Sequence, residues 1–404
     1  MMCVMSAQYS EVTNRWKQAA DLDDRKSRGQ YMTPRSLRAR LLDNLDLYPD
    51  IRVLDPGCGT GEFLRDVLDR QPTAQVTGWD SDQRILKCAQ ELVPEGEFLC
   101  RDALDPSLVE PFDLVLGNPP YFQFRASSPV KKYFADVISG RPNIFSLFFK
   151  VGVENLRNGG QLGYVVPPSM NNGAYFNALR SYIKSVAAIE FLEVFTDPFH
   201  FEDAQTAVQL MVIRKGQQSD AHSISVPLGG RKSNLLLFAS DAADLAGIMA
   251  SGRSLDSLGF TAVTGTVVWN TRKGDLRTKK VDGAVQLVWA QNIRGGCVVI
   301  DETSEKRPQY VVNTEPLTGP AVVVNRIVGS VGSGQLRAGI IESGRRFVGE
   351  NHVNVILPTP NAEMSCEQLL SLIAKPEVIQ QVRKITGNTQ ISATELKYLV
   401  RLAI

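Results

Sequence analysis

Short apolar runs alternate with amphipathic stretches over residues 34–214, and this alternation constrains the fold more than any other feature of the chain. The apolar runs have the length of strands, whereas the stretches between them repeat their apolar residues with helical spacing. Such alternation predicts a parallel sheet with helices on both faces, a doubly wound α/β fold. The predicted strands are IRVLD, QVTGWD, FDLVLGN, GQLGYVVP, AIEFLEVF and AVQLMVIRK, and the predicted helices are LRARLLDNL, GEFLRDVLDR, SDQRILKCAQEL and NIFSLFFKVGVENL.

The regular alternation of apolar runs and amphipathic stretches ends after Lys215. The segment GQQSDAHS is typical of a linker, and beyond it short β-rich pieces are separated by glycines and charged turns. The stretch CEQLLSLIAKPEVIQQVRKI then returns to helical periodicity. We therefore predict two domains: an α/β domain over residues 1–220, with a polar helical extension at 1–28, and a β-rich α+β domain over residues 221–404.

The composition, 43% hydrophobic and 22% charged residues among 404, is that of a globular protein. The sequence contains no apolar run of about 18 residues, so we expect no membrane span, and its start turns polar too early for a signal peptide. The six cysteines and three histidines have no metal-ligand spacing, which predicts reduced thiols, no metal site and a cytoplasmic location. With a net charge of only +1, a polyanionic partner would have to meet a local basic patch.

The first strand leads into a glycine-rich loop, DPGCGTGEFL. Gly57, Gly59 and Gly61 permit positive φ and a close approach of a ligand to the backbone. Glu62 stands where a dinucleotide fingerprint requires glycine, which disfavours a pyrophosphate at this position. The pattern suits a ligand that ends in an amino acid, whose ammonium group Asp55 can meet and whose carboxylate the loop amides can meet. S-adenosylmethionine is such a ligand.

Acids also follow the next two predicted strands, in GWD and FLCRDAL. Asp80 can accept hydrogen bonds from both ribose hydroxyls, and Asp102 can accept one from the adenine amine. Each acid by itself is equally typical of a helix cap or a solvated turn. Three such acids around one glycine loop favour a nucleoside site. Upstream, Thr33 and Pro34 of GQYMTP can cap the first helix and do nothing more.

The order of GQYMTP, DPGCGTGEFL, GWD, RDAL, GNPPY, GGQLGYVVP and FEDAQTAVQLMVI resembles the gamma group of amino-group DNA methyltransferases, over nearly the whole chain. Those proteins are adenine-N6 enzymes. The resemblance implies a Rossmann-like methyltransferase sheet followed by a target-recognition domain, with S-adenosylmethionine as cofactor and double-stranded DNA as substrate. It also implies that Thr33 and Pro34 touch the methionine end of the cofactor. We expect a monomeric modification enzyme with a restriction endonuclease as partner, or an orphan relative without one.

The tetrapeptide Asn-Pro-Pro-Tyr at the end of the FDLVLG strand carries the chemistry that the resemblance implies. The side-chain oxygen of Asn118 and the carbonyl of Pro119 can accept both hydrogens of an adenine amino group, which frees its lone pair. Pro119 and Pro120 stiffen the turn, and Asn118 also borders the cofactor. The ring of Tyr121 can stack on a base that has left the duplex.

In the family, a second aromatic side chain stacks on the opposite face of the base. The segment FLEVFTDPFHFEDAQT offers Phe195, Phe199 and Phe201, and the sequence F-x-D-A favours Phe201. Any of the three is also compatible with ordinary core packing. The same alternatives hold for Phe122 and Phe124, which are pocket walls or core residues.

A basic cluster in TVVWNTRKGDLRTKK predicts phosphate contacts in the second domain. A charge run is also typical of a solvated face, and Arg326 is explained equally well as a base reader or as a strand end. The blocks VVWNTRKGDL, PLTGPAVVVNRI and GENHVNVILP resemble the recognition domain of PstI/BsuBI-type modification methyltransferases, which implies the target CTGCAG. The candidate DNA-binding residues are Arg272, Lys273, Arg277, Lys279, Lys280 and Arg326.

Other functions remain compatible with the same motifs. Glutamine methyltransferases acting on proteins and RNA-base methyltransferases share NPPY and the cofactor loop, and cytosine-N4 enzymes share the mechanism. A C-terminal basic domain favours DNA over the first two, and Asn at position 118 favours adenine over cytosine. A non-catalytic DNA-binding protein is the remaining alternative, although it would need neither Asn118 nor the glycine loop.

Overall fold

The computed structural model describes residues 8–106, 109–124, 127–138, 140, 143–195, 207–229, 234–301, 307–326, 336–386 and 390–404. The chain divides into two compact units, the first comprising Met1–Ile224 and Leu236–Ala242 and the second Ser225–Leu235 and Ala243–Ile404. None of the helices found in these ranges has the length and apolar character needed to cross a membrane.

The first unit alternates helices and strands, as the sequence predicts. Its helices are α1 (Glu11–Ala19), α2 (Leu22–Ser27), α3 (Arg35–Leu42), α4 (Glu62–Arg70), α5 (Gln83–Leu92), α6 (Ser128–Tyr133), α7 (Ile144–Glu154) and α8 (Asn177–Val186). Its strands are β1 (Arg52–Asp55), β2 (Gln75–Asp80), β3 (Glu97–Cys100), β4 (Phe112–Gly117), β5 (Leu156–Val166), β6 (Ala187–Phe195) and β7 (Val208–Lys215).

These strands form one seven-stranded sheet in the order β3-β2-β1-β4-β5-β7-β6. The strands from β3 through β5 run parallel, so the carboxyl ends of β1, β2, β3 and β4 lie at one edge. Strand β7 runs antiparallel to both of its neighbours, β5 and β6. The alternation alone predicted a parallel sheet, whereas the consecutive strands β6 and β7 pair directly with each other, an arrangement that antiparallel strands commonly adopt.

Alternate residues of the central strands pack into two different cores. Val53 of β1 belongs to a cluster with α3, α4 and α5, while its neighbour Leu54 belongs to a second cluster with α7 and α8. In β7, Val212 joins the first cluster and Met211 the second. Since side chains on a strand alternate between faces, the sheet is covered by helices on both sides, and the predicted doubly wound fold is confirmed.

The second unit is richer in strands. The residues of β8 (Ser223–Pro227) and β9 (Asn234–Phe238), which form a two-stranded sheet, are divided between the two units. The other strands of the second unit are β10 (Phe260–Thr264), β11 (Leu276–Arg277), β12 (Val285–Val288), β13 (Ile293–Arg294), β14 (Gly296–Val298), β15 (Tyr310–Val311), β16 (Leu317–Thr318), β17 (Ala321–Asn325), β18 (Ala338–Ile341), β19 (Arg346–Gly349) and β20 (Val353–Pro358). Its helices are α9 (Ala242–Ala250), α10 (Cys366–Ile373), α11 (Pro376–Thr386) and α12 (Ala393–Tyr398).

Two sheets organise this unit, a six-stranded one in the order β10-β20-β17-β18-β14-β13 and a five-stranded one in the order β11-β15-β12-β19-β16. In β17, Val322 and Val324 pack against α10, α11 and α12, whereas Val323 packs with Val288 and Phe347 of the other sheet. The six-stranded sheet is thus buried on both faces, which explains why its central strand is continuously apolar. The helical stretch predicted from Cys366 onward is divided into α10 and α11, because Pro376 begins a new helix.

Candidate active site in the first unit

The glycine-rich loop joins β1 to α4 and is held in shape by its own hydrogen bonds. Gly59 has φ +55° and Gly61, the N-cap of α4, has φ +85°, so both positions require glycine. The amide of Gly57 donates to Asp55 Oδ1 at 3.1 Å, and the amide of Gly59 donates to Asp80 Oδ2 at 3.1 Å. These two amides therefore bind protein carboxylates, which leaves less of the loop backbone for a ligand carboxylate than the sequence predicted.

The three predicted acids lie at the carboxyl edge of neighbouring strands β1, β2 and β3. Asp80 accepts from the amides of Gly59 and Asp82, one with each carboxylate oxygen, and Asp102 Oδ1 accepts from the amide of Leu104 at 2.9 Å. Asp80 and Asp102 thus accept hydrogen bonds within local turns, which agrees with the turn alternative, whereas the N-cap of α5 is Asp82. A carboxylate has about four lone-pair sites, so both side chains retain capacity to accept from a ligand.

Burial changes the ionisation of the two inner acids. Asp55 is 2% exposed, and desolvation raises its pKa to about 8 in spite of the hydrogen bond from Gly57. Desolvation also raises the pKa of Asp80. A cationic ligand next to these carboxyls would favour their charged forms, so the site is suited to a positively charged molecule.

The segment that contains GQYMTP packs on the NPPY turn. A Cβ on Gly29 would lie 2.7 Å from Pro120 Cβ, and its φ of +67° likewise requires glycine. Two buried oxygens of this segment, Gln30 Oε1 and Thr33 Oγ1, have no hydrogen-bond partner among the described atoms. Because buried polar groups are normally paired, these atoms mark a place where a polar ligand is expected.

Asn118 is held by a tyrosine on each side of its amide. Its Nδ2 donates to the carbonyl oxygen of Tyr31 at 3.1 Å, and its Oδ1 lies 2.5 Å from the hydroxyl of Tyr121. The Tyr121 hydroxyl also lies 2.7 Å from the carbonyl of Val165, so its single proton serves one of two acceptors at a time. Burial raises the pKa of Tyr121 well above its ordinary value, and the phenol therefore remains a donor.

A buried arginine that the sequence analysis missed supports the same region. Arg38 of α3 is 2% exposed and forms ion pairs with Glu62 at 2.8 Å and with Asp66 at 2.6 Å. Its guanidinium also donates to the carbonyl of Thr33 at 2.6 Å. Glu62 in turn accepts from the amide and the hydroxyl of Ser10, each at 2.8 Å. Glu62, which stands where a dinucleotide fingerprint requires glycine, thus connects the N-terminal segment to the glycine-rich loop through these hydrogen bonds.

These groups surround one cavity of about 180 Å³. It brings together most of the predicted cofactor residues with Asn118 and Pro120, and Phe122, Ile144 and Phe148 add apolar wall. The sequence analysis did not identify Gln30, Tyr31 or Arg38, although GQYMTP contained the first two. The predicted residues that line the cavity are Thr33, Asp55, Gly57, Gly59, Asp80, Asp102, Asn118 and Pro120.

Other predicted residues do not line this cavity. Pro34 is the N-cap of α3, as the capping interpretation had it, and Gly61 caps α4. Pro119 is buried, and the ring of Tyr121 packs edge-on against Phe145 with the ring centres 6.2 Å apart. Phe195 packs against the cluster formed with α3 to α5, while Phe199 and Phe201 lie outside the described residues.

The predicted DNA-binding residues belong to the second unit and differ in their surroundings. The guanidinium of Arg272 is engaged by Asp275 and by two backbone carbonyls, and that of Arg277 donates to the carbonyls of Gly274 and Leu276. The Nη1 atom of Arg326 donates to the carbonyl of Asn351 at 3.3 Å. The side chains in exposed positions are those of Lys273, Lys279 and Lys280.

Comparison with known proteins bears on this site directly. Residues 72–200, which include β2 to β6 and the NPPY turn, match the family described as Eco57I restriction-modification methylase. This part of the chain is therefore similar to an Eco57I-type methylase domain. A methylase of this type takes its methyl group from S-adenosylmethionine, which is therefore the cofactor, as the sequence predicted.

Several proteins similar to this chain are named as modification methylases or Type II methyltransferases. The modification methylase CviBIII of Paramecium bursaria Chlorella virus NC1A is 26% identical over 51% of this chain, and the alignment covers 55% of that protein. The Type II methyltransferase M.BsuBI of Bacillus subtilis is 22% identical over 93% of this chain and 88% of its own. Among solved structures, a putative class I S-adenosylmethionine-dependent methyltransferase from Listeria monocytogenes aligns with 57% of this chain and 70% of its own, with 22% identity and a TM-score of 0.45.

The residues around the cavity fit S-adenosylmethionine by their chemistry. The ligand carries an ammonium and a sulfonium, and the buried Asp55 and the half-buried Asp80 provide carboxyl oxygens whose charged form a cation would favour. Its carboxylate needs donors, and the hydroxyl of Thr33 is a buried donor without a partner among the described atoms. The cavity thus combines acids, this buried hydroxyl and apolar side chains, a set of groups compatible with this ligand.

Proposed function

We propose that this chain is a site-specific DNA methyltransferase that transfers a methyl group from S-adenosylmethionine to the N6 amino group of an adenine swung out of duplex DNA. The observation that carries the proposal is that Asn118 lines the same cavity as Asp55 and Asp80. A methyl donor held by the acids would then adjoin the amide oxygen that accepts from the reacting amine. That juxtaposition supports a catalytic role for Asn118 rather than a role in the turn alone.

The orientation of the Asn118 amide supports the same role. Because Nδ2 donates to the carbonyl of Tyr31, the other end of the amide must be the acceptor Oδ1. Oδ1 has two lone pairs, and the hydroxyl of Tyr121 occupies one of them. The second lone pair remains for an amino group, with the carbonyl of Pro119 as the other acceptor. The two hydrogen bonds would localise the nitrogen lone pair that the adenine ring otherwise withdraws.

Transfer then needs no covalent intermediate on the protein. S-adenosylmethionine would supply the methyl group by direct displacement at its sulfonium, with the adenine nitrogen as nucleophile and S-adenosylhomocysteine as the leaving group. The methylated nitrogen would then release one proton to solvent and become a neutral secondary amine. Fixed acceptors such as Asn118 Oδ1 stabilise the positive charge that develops on the nitrogen, and this electrostatic effect is the main contribution that we assign to the protein.

The second unit supplies the contact to DNA in this proposal. Lys273, Lys279 and Lys280 are exposed cations, which suits phosphate contacts. The similarity to M.BsuBI, a Type II methyltransferase, along 93% of the chain supports a modification enzyme. We further propose the target CTGCAG, a monomeric state, a location in the bacterial cytoplasm and a restriction endonuclease as partner. We keep Phe201 as the proposed second stacking residue.

The test is a methyl-transfer assay with the purified full chain. Duplexes with and without CTGCAG, a transfer RNA and a glutamine-containing peptide are each incubated with methyl-labelled S-adenosylmethionine, and digested products are identified by mass spectrometry. We expect N6-methyladenine in duplex DNA. N4-methylcytosine would overturn the choice of base, and label only in RNA or peptide would overturn DNA as substrate.

The variant Asn118→Ala tests the role of the amide. We expect it to bind S-adenosylmethionine as the wild type does and to lose transfer by at least about 100-fold, because positioned acceptors act on the reacting group. Asn44→Ala is the matched control, since Asn44 makes only a local bond to the carbonyl of Arg40 on the surface. Equal transfer by the wild type and Asn118→Ala would remove Asn118 from the mechanism.

A further inference from the structure

A turn at Val268–Thr271 displays a large aromatic side chain to solvent. The amide and the hydroxyl of Thr271 both donate to the carbonyl of Val268, at 3.1 and 2.9 Å, which closes the turn. Trp269 is 43% exposed and Val268 is 37% exposed. Tryptophan is the side chain that gains most from burial, so its display at the tip of a turn indicates a contact with a partner.

The chain that enters the turn is firmly attached to the unit. Val267 is fully buried in a core cluster, and its amide donates to the carbonyl of Gly349 at 3.2 Å. Gly265 lies so close to this backbone that a Cβ on it would stand 2.1 Å from the carbonyl oxygen of Glu350. Since Val267 already fills the core at this place, packing does not require the two apolar residues that follow it.

The chain that leaves the turn is attached equally well. Arg272 pairs with Asp275 at 2.8 Å and donates to the carbonyls of Val312 and Asn313. The side chain of Asn313 donates to the other oxygen of Asp275 at 3.0 Å. Both ends of the turn are therefore fixed, and a rigid turn loses little conformational entropy when a partner binds.

Exposed lysines lie beside the turn and further along the same segment of the chain. Lys273 Nζ lies 5.7 Å from the centre of the Trp269 ring, and Lys279 and Lys280 are exposed a few residues further on. Asp275, the acid of this segment, is neutralised by Arg272. A second copy of this chain would bring a second set of cations to the same place, whereas a polyanion is complementary to them.

We propose that Trp269 is a DNA contact, which stacks on or wedges between exposed bases while the neighbouring lysines hold the phosphates. This inference rests on the proposed function for the identity of the partner. In this proposal the turn contributes to DNA affinity in a different way from the basic residues. Lysines contribute through counterion release, whereas the indole contributes through apolar contact. The two contributions therefore differ in their dependence on salt.

The experiment measures the affinity of the full chain for a fluorescein-labelled mixed-sequence DNA duplex at several salt concentrations. Trp269→Ala is expected to weaken binding about tenfold at every salt concentration, with the slope of log affinity against log salt unchanged. The double variant Lys279→Ala/Lys280→Ala is expected to flatten that slope. Trp269→Phe retains an aromatic face and is expected to keep most of the affinity.

Val299→Ala is the control, because Val299 is another exposed apolar residue of the same unit, at 47% exposure. Unchanged affinity of Trp269→Ala, or a loss equal to that of Val299→Ala, would overturn the inference. A change in sedimentation with Trp269→Ala, and not in DNA affinity, would assign the turn to self-association instead. The methyl-transfer assay separates the two proposals. If the wild type methylates DNA and Trp269→Ala binds DNA with normal affinity, the proposed function stands and only the Trp269 contact is refuted.

Discussion

The carboxylate of Asp55 occupies the space that a side chain at Gly117 would need. A Cβ on Gly117 would stand 2.6 Å from Asp55 Oδ1, and Gly117 has φ +148°. Asp55 ends β1 and Gly117 ends β4, so the last residues of neighbouring strands share this space. Gly117 directly precedes Asn118, and the acid of the cofactor loop is therefore in contact with the turn that carries the proposed acceptor.

We predict that Gly117→Ala destabilises the protein by about 2 kcal/mol, because the methyl group meets a buried carboxylate and the backbone conformation is strained. We also expect weaker binding of S-adenosylmethionine, since Asp55 must shift. Thermal unfolding and calorimetric titration with the cofactor measure the two effects. Gly247→Ala is the control: Gly247 is in helix α9 with no atom within 4 Å of an added Cβ, so alanine should be neutral or stabilising there.

Removing the hydroxyl of Tyr121 is expected to affect transfer and not cofactor binding. Tyr121→Phe keeps the ring against Phe145 but deletes the bond to Asn118 Oδ1, so the amide loses one of the two contacts that orient it. We predict a fall in kcat of about fivefold to tenfold, the worth of one hydrogen bond, with an unchanged dissociation constant for S-adenosylmethionine.

The control for this change is Tyr133→Phe, which deletes a hydroxyl bonded to Glu154 on α7, away from the cavity-lining residues. If Tyr121 acted only by stacking on the base, Tyr121→Phe and Tyr133→Phe would both retain the wild-type kcat. That outcome would show that the Tyr121 hydroxyl has no role in transfer and that the residue contributes only its aromatic ring.

The stability of the cofactor-free protein is expected to fall as pH rises from about 4 to about 8. The carboxyl of Asp55 ionises near 3.8 in the unfolded chain, whereas burial raises its folded pKa to about 8. Between these values the folded state binds more protons than the unfolded state, so the free energy of unfolding decreases with pH and levels off above 8. Asp80, whose pKa burial also raises, acts in the same direction.

Asp55→Asn should remove much of this slope, because the amide does not ionise. The measurement is the urea midpoint of both proteins across the pH range without cofactor. A slope that is the same in the wild type and in Asp55→Asn would show that another group is responsible. Saturating S-adenosylmethionine should also flatten the wild-type slope, since a bound cation favours ionised Asp55.

The parts of the molecule that the sequence predicted are those that local patterns encode. The alternation of apolar runs predicted the doubly wound sheet. The spacing of glycines predicted a loop that permits positive φ at Gly57, Gly59 and Gly61, and of these Gly59 and Gly61 adopt it. The direction of β7 is not encoded by its apolar residues, which read the same in either direction, so the antiparallel pairing became visible only in the structure.

Contacts between distant segments could not be read from the sequence. Arg38 belongs to an ordinary amphipathic helix, and nothing near it in the chain indicates that Glu62 and Asp66 will bury its charge. The orientation of Asn118 depends in the same way on Tyr31, whose contributing atom is a backbone carbonyl that every residue type possesses. Burial of Tyr121, which decides where its hydroxyl points, is also a property of the assembled fold.

Arg38 provides a last prediction, because it joins three segments around the cavity. Arg38→Met should lower the free energy of unfolding by about 3–5 kcal/mol, since Glu62 and Asp66 would be left without the cation that compensates their burial. Arg65→Met is the matched control on α4: Arg65 pairs with Asp69, whose side chain is 57% exposed, and the expected loss is below about 1 kcal/mol. Urea unfolding of each variant gives the comparison. Adding Glu62→Gln to Arg38→Met should restore part of the loss by removing one unpaired charge, whereas equal losses for the two arginine variants would mean that the buried ion pairs do not hold this region together.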